Sequence, residues 1–456
     1  MLLSFKVKNY LSFKDEAGFS MESNKKIRTL KDNKNIIKLK DWETIWLNKT
    51  AIFYGANASW KTNIFKWLDF LKYIVLNSSW FRKEWIKEEL PLGVFFENFL
   101  LNEEWKKIFS DFEIKFLINW IKYTYSIRIE ENKITKEKLS FFEKNKEKIL
   151  INRQITKWEV DEKYFGFEED EFEKLNLFPR NNQIFLSLFA NRETWEYKFT
   201  SNNKIIKRKK NIWLATKIIS FFRGINFISA KSNFTGMTLG MLKDEKLKDT
   251  IISFIKNADI NINNIKQEEK EIKISENSNF WFLEINWQKV IPKNIVEVKT
   301  DFIHPVYNNE WIQIWELPFD FNLQESEWTK NLFSFLWPIL DTIQNNWVLL
   351  IDEIDTHMHF LLTENLINFF HSKNDKWKNN IWNSQFIFNT HNLDLMDLEL
   401  FKKDQIYFTS KDYYWATEIF SLDDFKDIQI RNNSDIKKAY KLWVFWAVPI
   451  LSDFNL

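Results

Sequence analysis

The chain has 456 residues, enough for one large domain with an insertion or for two to three ordinary domains, so a sizeable core is available. It has no Cys, which excludes a disulfide framework, a thiolate zinc site and a cysteine nucleophile, and 65 Lys+Arg against 63 Asp+Glu leave a net charge of +2, too balanced to mark the whole surface for nucleic acid or membrane. Lys6 and Lys8 interrupt the apolar start MLLSFKVKNYLSF, no small-residue cleavage site follows, and no apolar run approaches the ~18 residues of a membrane span, so the expectation is a soluble, cytoplasmic protein with no membrane partner.

In chain order, SFKVKNYLSF and EAGFSME read as two strands, and Thr50 to Tyr54 as a short buried strand running into Gly55. KTNIFKWLDFLKYIVL follows, with Ile64, Phe65, Leu68, Leu71 and Val75 at helical spacing. From about residue 80 to 300 the chain changes character: hairpins over 112–140, a charged stretch over 141–175, helical patterns at 208–222 and 245–256, and a hairpin at 280–291. No heptad repeat lasts long enough for a coiled-coil arm. From 311 an α/β pattern returns, with a helix at 327–343, the strand WVLLID at 347–352, a helix at 359–371, the strand QFIFNT at 385–390, and strands near 404–409 and 415–420. KKAYKLWVFWAVPIL closes the chain, and the Lys- and Asn-rich runs read as solvated surface.

Glycine and tryptophan depart from ordinary usage in opposite directions. There are 7 Gly and 23 Trp, and the two together, 30 residues, match the usual glycine share of about 7%. Asn119-Trp120 and Asn286-Trp287 each stand between two alternating strands, where Asn-Gly supplies the positive φ angles of a type I′ turn. Trp60, Trp337 and Trp347 also occupy positions whose chemistry suits glycine. We read this as a gene that uses UGA for glycine, translated with a table that reads UGA as tryptophan; crowded or displaced side chains are then expected at Trp60, Trp120, Trp287 and Trp337.

With Trp60 read as glycine, Gly55, Ala56, Asn57, Ala58, Ser59, Trp60, Lys61 and Thr62 form G-x-x-x-x-G-K-T, the phosphate-loop pattern, placed between an apolar strand and an amphipathic helix as its chemistry requires. Backbone N–H groups would turn in around phosphates, Lys61 would reach the β/γ-phosphates and Thr62 would ligate Mg²⁺. VLLIDEID delivers Asp352 to the end of a buried strand, toward the metal, with Glu353 next to it where a water could face the γ-phosphate. Ser326 and Trp328, in SEWTKNLFSFL, stand at a helix start and read either as a phosphate-binding signature or as a simple helix cap. His391 follows the strand QFIFNT, the place of a γ-phosphate sensor. His357 and His359 lack a third ligand pattern and read as structural.

Together, Asn9 to Phe13, GANAS(G)KTN, SE(G)TKNLF, LLIDEIDTHMH, NTHN and the end from Tyr440 to Pro449 resemble a bacterial family of AAA/ABC-type ATPases that includes RloA-like and abortive-infection proteins and is related to OLD, RecF and SMC heads. The resemblance implies an α/β P-loop NTPase of ABC-head type, with a mixed β-sheet core and an α+β lid-like insertion. The core would be formed by residues 1–80 and 306–456, and the insertion by 81–305, partly completing the core sheet. It implies ATP and Mg²⁺ as ligands, Lys61, Glu353 and His391 as catalytic residues, and Thr62 and Asp352 at the metal. Asn63 would join the loop residues at the nucleotide, while Ser326, Trp328 and Asp355 would act at the interface of a head-to-head homodimer closed around ATP. Leu11 replaces the family's usual basic residue, and no Q-loop glutamine or Toprim nuclease pattern is recognisable. The leading expectation is therefore the ATPase of a phage-defence or abortive-infection system working through a separate effector protein. A DNA-repair ATPase is the second, with KIIKRKKN (204–211) and the Lys-rich 25–40 as phosphate contacts, and a non-catalytic scaffold is the third, if an indole at position 60 fills the phosphate space.

Overall fold

The computed structural model of the protein describes residues 1–23, 36–39, 45–56, 61–81, 96–143, 146–155, 157–160, 179–190, 196–201, 204–209, 213–273, 283–285, 288–290, 294–371, 383–425 and 433–442. They divide into two compact units, one of residues 1–231 with 340–456, the other of residues 232–339.

The first unit is built on a six-stranded sheet in the order Ile225–Ile228, Val348–Ile351, Gln385–Asn389, Thr50–Gly55, Ile406–Lys411, Thr417–Ser421. All neighbours are parallel except the last pair, which makes the sheet mixed. Its three central strands, VLLI, QFIFN and TAIFYG, are buried along their whole length, as a parallel sheet covered on both faces demands. A second, antiparallel sheet runs in the order Trp158–Val160, Lys146–Arg153, Lys133–Glu143, Ile121–Glu130, Ser110–Ile118, Leu2–Lys8, Ala17–Ser20.

The helix Lys61–Asn77 joins the two sheets in one core. Phe65 meets Phe53 and Phe227 of the parallel sheet at ring separations of 6.2 and 6.1 Å, while fully buried Trp67 lies edge-on to Phe5 at 4.7 Å and stacks on Phe13 at 4.8 Å. Each such ring contributes roughly 2 kcal/mol by leaving water. The Asn9–Phe13 segment is a hub of this core. Asn9, wholly buried, donates to the carbonyls of Trp105 and Ile108 and accepts from the Phe99 N–H, while Tyr10 stacks on Phe70.

In the second unit, the helices Thr235–Met241 and Glu245–Asn257 accompany an antiparallel sheet of Asn264–Lys273, Asn294–Tyr307 and Gln313–Asp320. Phe302, Phe321 and Phe333 form its aromatic centre, with rings 5.0 to 5.5 Å apart. These long strands escape the hydrophobic period because most Gln313–Asp320 side chains are exposed and Asn264–Lys273 is largely charged. The helix Glu327–Asn345 contains Pro338.

The turns bear directly on the glycine question. Ile118 pairs with Ile121, and between them Asn119 and Trp120 have φ of 46° and 70°, the two left-handed residues of a type I′ hairpin. The same loop length joins Ile285 to Gln288, whose turn residues, Trp287 among them, lie outside the described residues, as does Trp60. Trp311 and Trp415 are left-handed too, with φ of 60° and 64°. At Trp120 the misfit is in the backbone, because the indole itself is half exposed to water rather than crowded. The expectation fails at Trp337, where the backbone is helical and the indole lies beside Phe234 at 5.5 Å, so helix geometry leaves room for a side chain. Trp347 closes on Gly224: a Cβ there would stand 2.4 Å from the ring.

Candidate functional site

Three adjacent parallel strands end at one edge of the sheet, where open α/β sheets bind ligands. Thr50–Gly55 leads to Ala56 and, beyond Asn57, Ala58, Ser59 and Trp60, which lie outside the described residues, to the helix beginning at Lys61. Val348–Ile351 delivers Asp352 and Glu353, and Gln385–Asn389 delivers Asn389 and His391.

The side chains meet there. Thr62 Oγ1 donates to Asp352 Oδ1 at 3.1 Å, across 290 residues of sequence. Asp352 Oδ1 also accepts from Asn389 Nδ2 at 2.6 Å, while Asn389 Oδ1 accepts the Glu353 N–H at 2.5 Å. Glu353 is left-handed, with φ 51° and ψ 58°, and precedes the short helix Ile354–His357. Lys61 is buried and folds its ammonium back onto the carbonyl oxygens of Gly55 at 2.8 Å and Ala56 at 3.2 Å.

Burial pushes the Lys61 pKa down to about 8, with Glu353, Asp355 and Asp352 opposing the shift. His391 is also held below its ordinary value, by desolvation first and by the Lys61 charge second. Burial lowers His357 in the same way. The edge therefore gathers one ammonium, three carboxyl groups and two imidazoles held below their ordinary value, with burial the largest influence on the ammonium.

Other predicted residues have different surroundings. Asp355 Oδ1 accepts the backbone N–H of His391 at 3.2 Å within the same chain. Asn63 turns its amide to Ser12 Oγ at 3.0 Å, and Ser12 O accepts the Thr417 N–H, so Asn63 fastens the Asn9–Phe13 segment to the start of the helix. Ser326 and Trp328 belong to the second unit. Ser326 Oγ accepts the Thr329 N–H at 3.1 Å and so caps the helix Glu327–Asn345. Sequence reasoning passed over Asn389. Its signal was an amide ending the apolar run FIF, a polar residue that a buried strand carries only for a partner.

The donor set fits a Mg²⁺–polyphosphate. A hydroxyl and a carboxylate converge, both oxygen ligands, and Mg²⁺ in nucleotide sites takes one or two such groups, completing its shell with phosphate and water. Among the described residues no group of three or more His, Asp or Glu side chains forms a self-sufficient metal site. The helix start at Lys61 and its desolvated ammonium suit the phosphate end.

A family model described as "AAA domain, putative AbiEii toxin, Type IV TA system" matches residues 51–397. No curated protein matches the chain. Among solved structures the chain is similar to the SMC head domain from Thermotoga maritima, at 11% identity and a TM-score of 0.38, covering 92% of this chain and 98% of that one. The family match spans well over half of the sequence, and the chain belongs to this family of AAA-type P-loop ATPases.

Proposed function

We propose that the protein binds ATP with Mg²⁺ and hydrolyses it as a head-to-head homodimer, as the ATPase component of an abortive-infection or phage-defence system. The observation that carries the reading is the meeting of Thr62 and Asp352 at 3.1 Å beside buried Lys61 and next to Glu353. Lys61 would exchange its two carbonyl partners for phosphate oxygens, and Thr62 and Asp352 would hold the metal. Glu353 would take a proton from the attacking water, and His391, neutral at pH 7, would hydrogen-bond the γ-phosphate. Bound Mg²⁺–ATP would supply the phosphoryl group and the charge neutralisation of its transfer. Ser326, already at a helix N-terminus, would serve the partner's nucleotide. The defence role rests on the family description, which names a toxin of a type IV system; the effector would be a separate protein.

The test is ATP turnover by two purified forms, one as printed and one with glycine at all 23 Trp positions, each beside a Glu353→Gln control. Turnover by the glycine form alone, reduced about 100-fold or more by the control, is the expected result. Turnover by neither form would remove the hydrolysis reading and favour a scaffold.

A further inference from the structure

We propose that Asn389 is the positioning residue of this site: one buried amide that holds the base, Glu353, and the metal-side carboxylate, Asp352, in register. The inference rests on the ATPase reading for its consequence and on geometry for its substance. Asn389 ends a central strand and is wholly buried. Its two amide atoms serve two different neighbours on the adjacent strand end, Oδ1 accepting the Glu353 N–H at 2.5 Å and Nδ2 donating to Asp352 Oδ1 at 2.6 Å. Only a group that accepts and donates in one plane can do both, so an aspartate or an aliphatic residue of similar size cannot replace it.

The contact falls where the backbone needs it. Glu353 is left-handed, a region that L-residues avoid, and its side chain makes no capping bond to the helix it precedes. Its N–H goes to Asn389, and its carbonyl oxygen accepts the N–H and Oγ1 of Thr356 at 2.9 and 2.8 Å. The peptide is thus held on both sides, and Glu353 departs from a fixed backbone. Two residues on, the His391 N–H bonds Asp355 at 3.2 Å, so the same strand end is tied to the acidic segment twice. Metal-side carboxylate, base and His391 then share one hydrogen-bonded frame, and movement of one strand end moves all of them.

The experiment compares Asn389→Ala and Asn389→Asp in the full chain, in the form that turns over ATP, with Glu353→Gln as second background. Amide hydrogen exchange of the peptide spanning residues 349–356 is read beside kcat, KM, thermal melting and ATP affinity without Mg²⁺. For Asn389→Ala we expect exchange at Glu353 to quicken at least ~10-fold while the Val348–Ile351 strand stays protected. We expect kcat to fall ~100-fold, metal-free ATP affinity to change less than ~3-fold, and the same substitution to cost less kcat in the Glu353→Gln background than in the parental one, because the part of its effect that runs through Glu353 is already lost there. Asn389→Asp keeps an acceptor for the Glu353 N–H and should leave exchange near the parental rate. Parental exchange in Asn389→Ala, quickened exchange in Asn389→Asp, or an equal loss of kcat in both backgrounds overturns the proposal. If no form turns over ATP but Asn389→Ala still frees the Glu353 amide, the ATPase reading falls and the positioning contact stands.

Discussion

Trp120 and Trp311 each combine a left-handed backbone with an indole that is 51% and 84% exposed, so the ring offsets little of the strain beneath it, whereas left-handed Trp415 holds Lys411 Nζ over its ring at 3.9 Å. Glycine adopts the same φ without a Cβ clash. Trp120→Gly and Trp311→Gly should each raise the unfolding free energy by about 1 kcal/mol, nearly additively for such separated turns, and Trp415→Gly by less because it also removes the Lys411 contact, as shifts in urea midpoint will show. Trp67→Gly should behave in the opposite way and cost about 4 kcal/mol, since that indole fills the space between Phe5 and Phe13. The contrast separates turn positions, where the printed residue is a misfit, from a core position, where it is not. Peptide masses of the native protein across Asn119 and residue 120 will show directly whether glycine stands there.

At the scale of elements, the end of the helix Phe360–His371 is bonded to the start of the Thr50–Gly55 strand, opposite the candidate site. Gln405 Nε2 donates to Thr50 Oγ1 at 2.8 Å, and the same hydroxyl is hydrogen-bonded to His371 Nε2, also at 2.8 Å. Burial first, then the charges of Lys49 and Lys402, push the His371 pKa down to about 3. The unfolded chain therefore binds a proton that the folded one refuses between the ordinary imidazole value and that figure. Stability from this group is complete above pH ~6.5 and is lost as pH falls. Unfolding free energy should drop by about 3 kcal/mol from pH 7 to pH 4.5 through His371, and His371→Gln should flatten that limb of a urea titration.

At the scale of the whole molecule, the proposed dimer divides each nucleotide site between two chains, with Lys61 from one and Ser326 from the other. Lys61→Ala and Ser326→Arg should each abolish turnover alone. Mixed in equal amounts they should recover about a quarter of the parental rate, because half of the dimers are mixed and each mixed dimer has one intact site of two. No recovery on mixing would mean that each chain completes its own site. Among the described residues no helix is long and apolar enough to cross a membrane.

Most of the local structure was legible in the sequence. The apolar runs TAIFYG, VLLI and QFIFN, the helical spacing after Lys61 and the Asn119-Trp120 turn are patterns of neighbouring residues, and each became the element that its period or turn chemistry required. The short strand Ile225–Ile228 was not legible, because three apolar residues around Asn226, directly after a helix, carry no period of their own. What the sequence by itself determined, then, was the three apolar strands that lead to the site, the helix that follows the phosphate loop, and the residue types that stand at those strand ends. Only the tertiary structure decided that the strand ending in Asn389 lies between those ending in Gly55 and Ile351, and so brought an amide to two acidic residues 36 and 37 positions away. Strand order is a long-range choice, settled by how buried faces and hydrogen-bond edges fit across the whole core, and no local period records it.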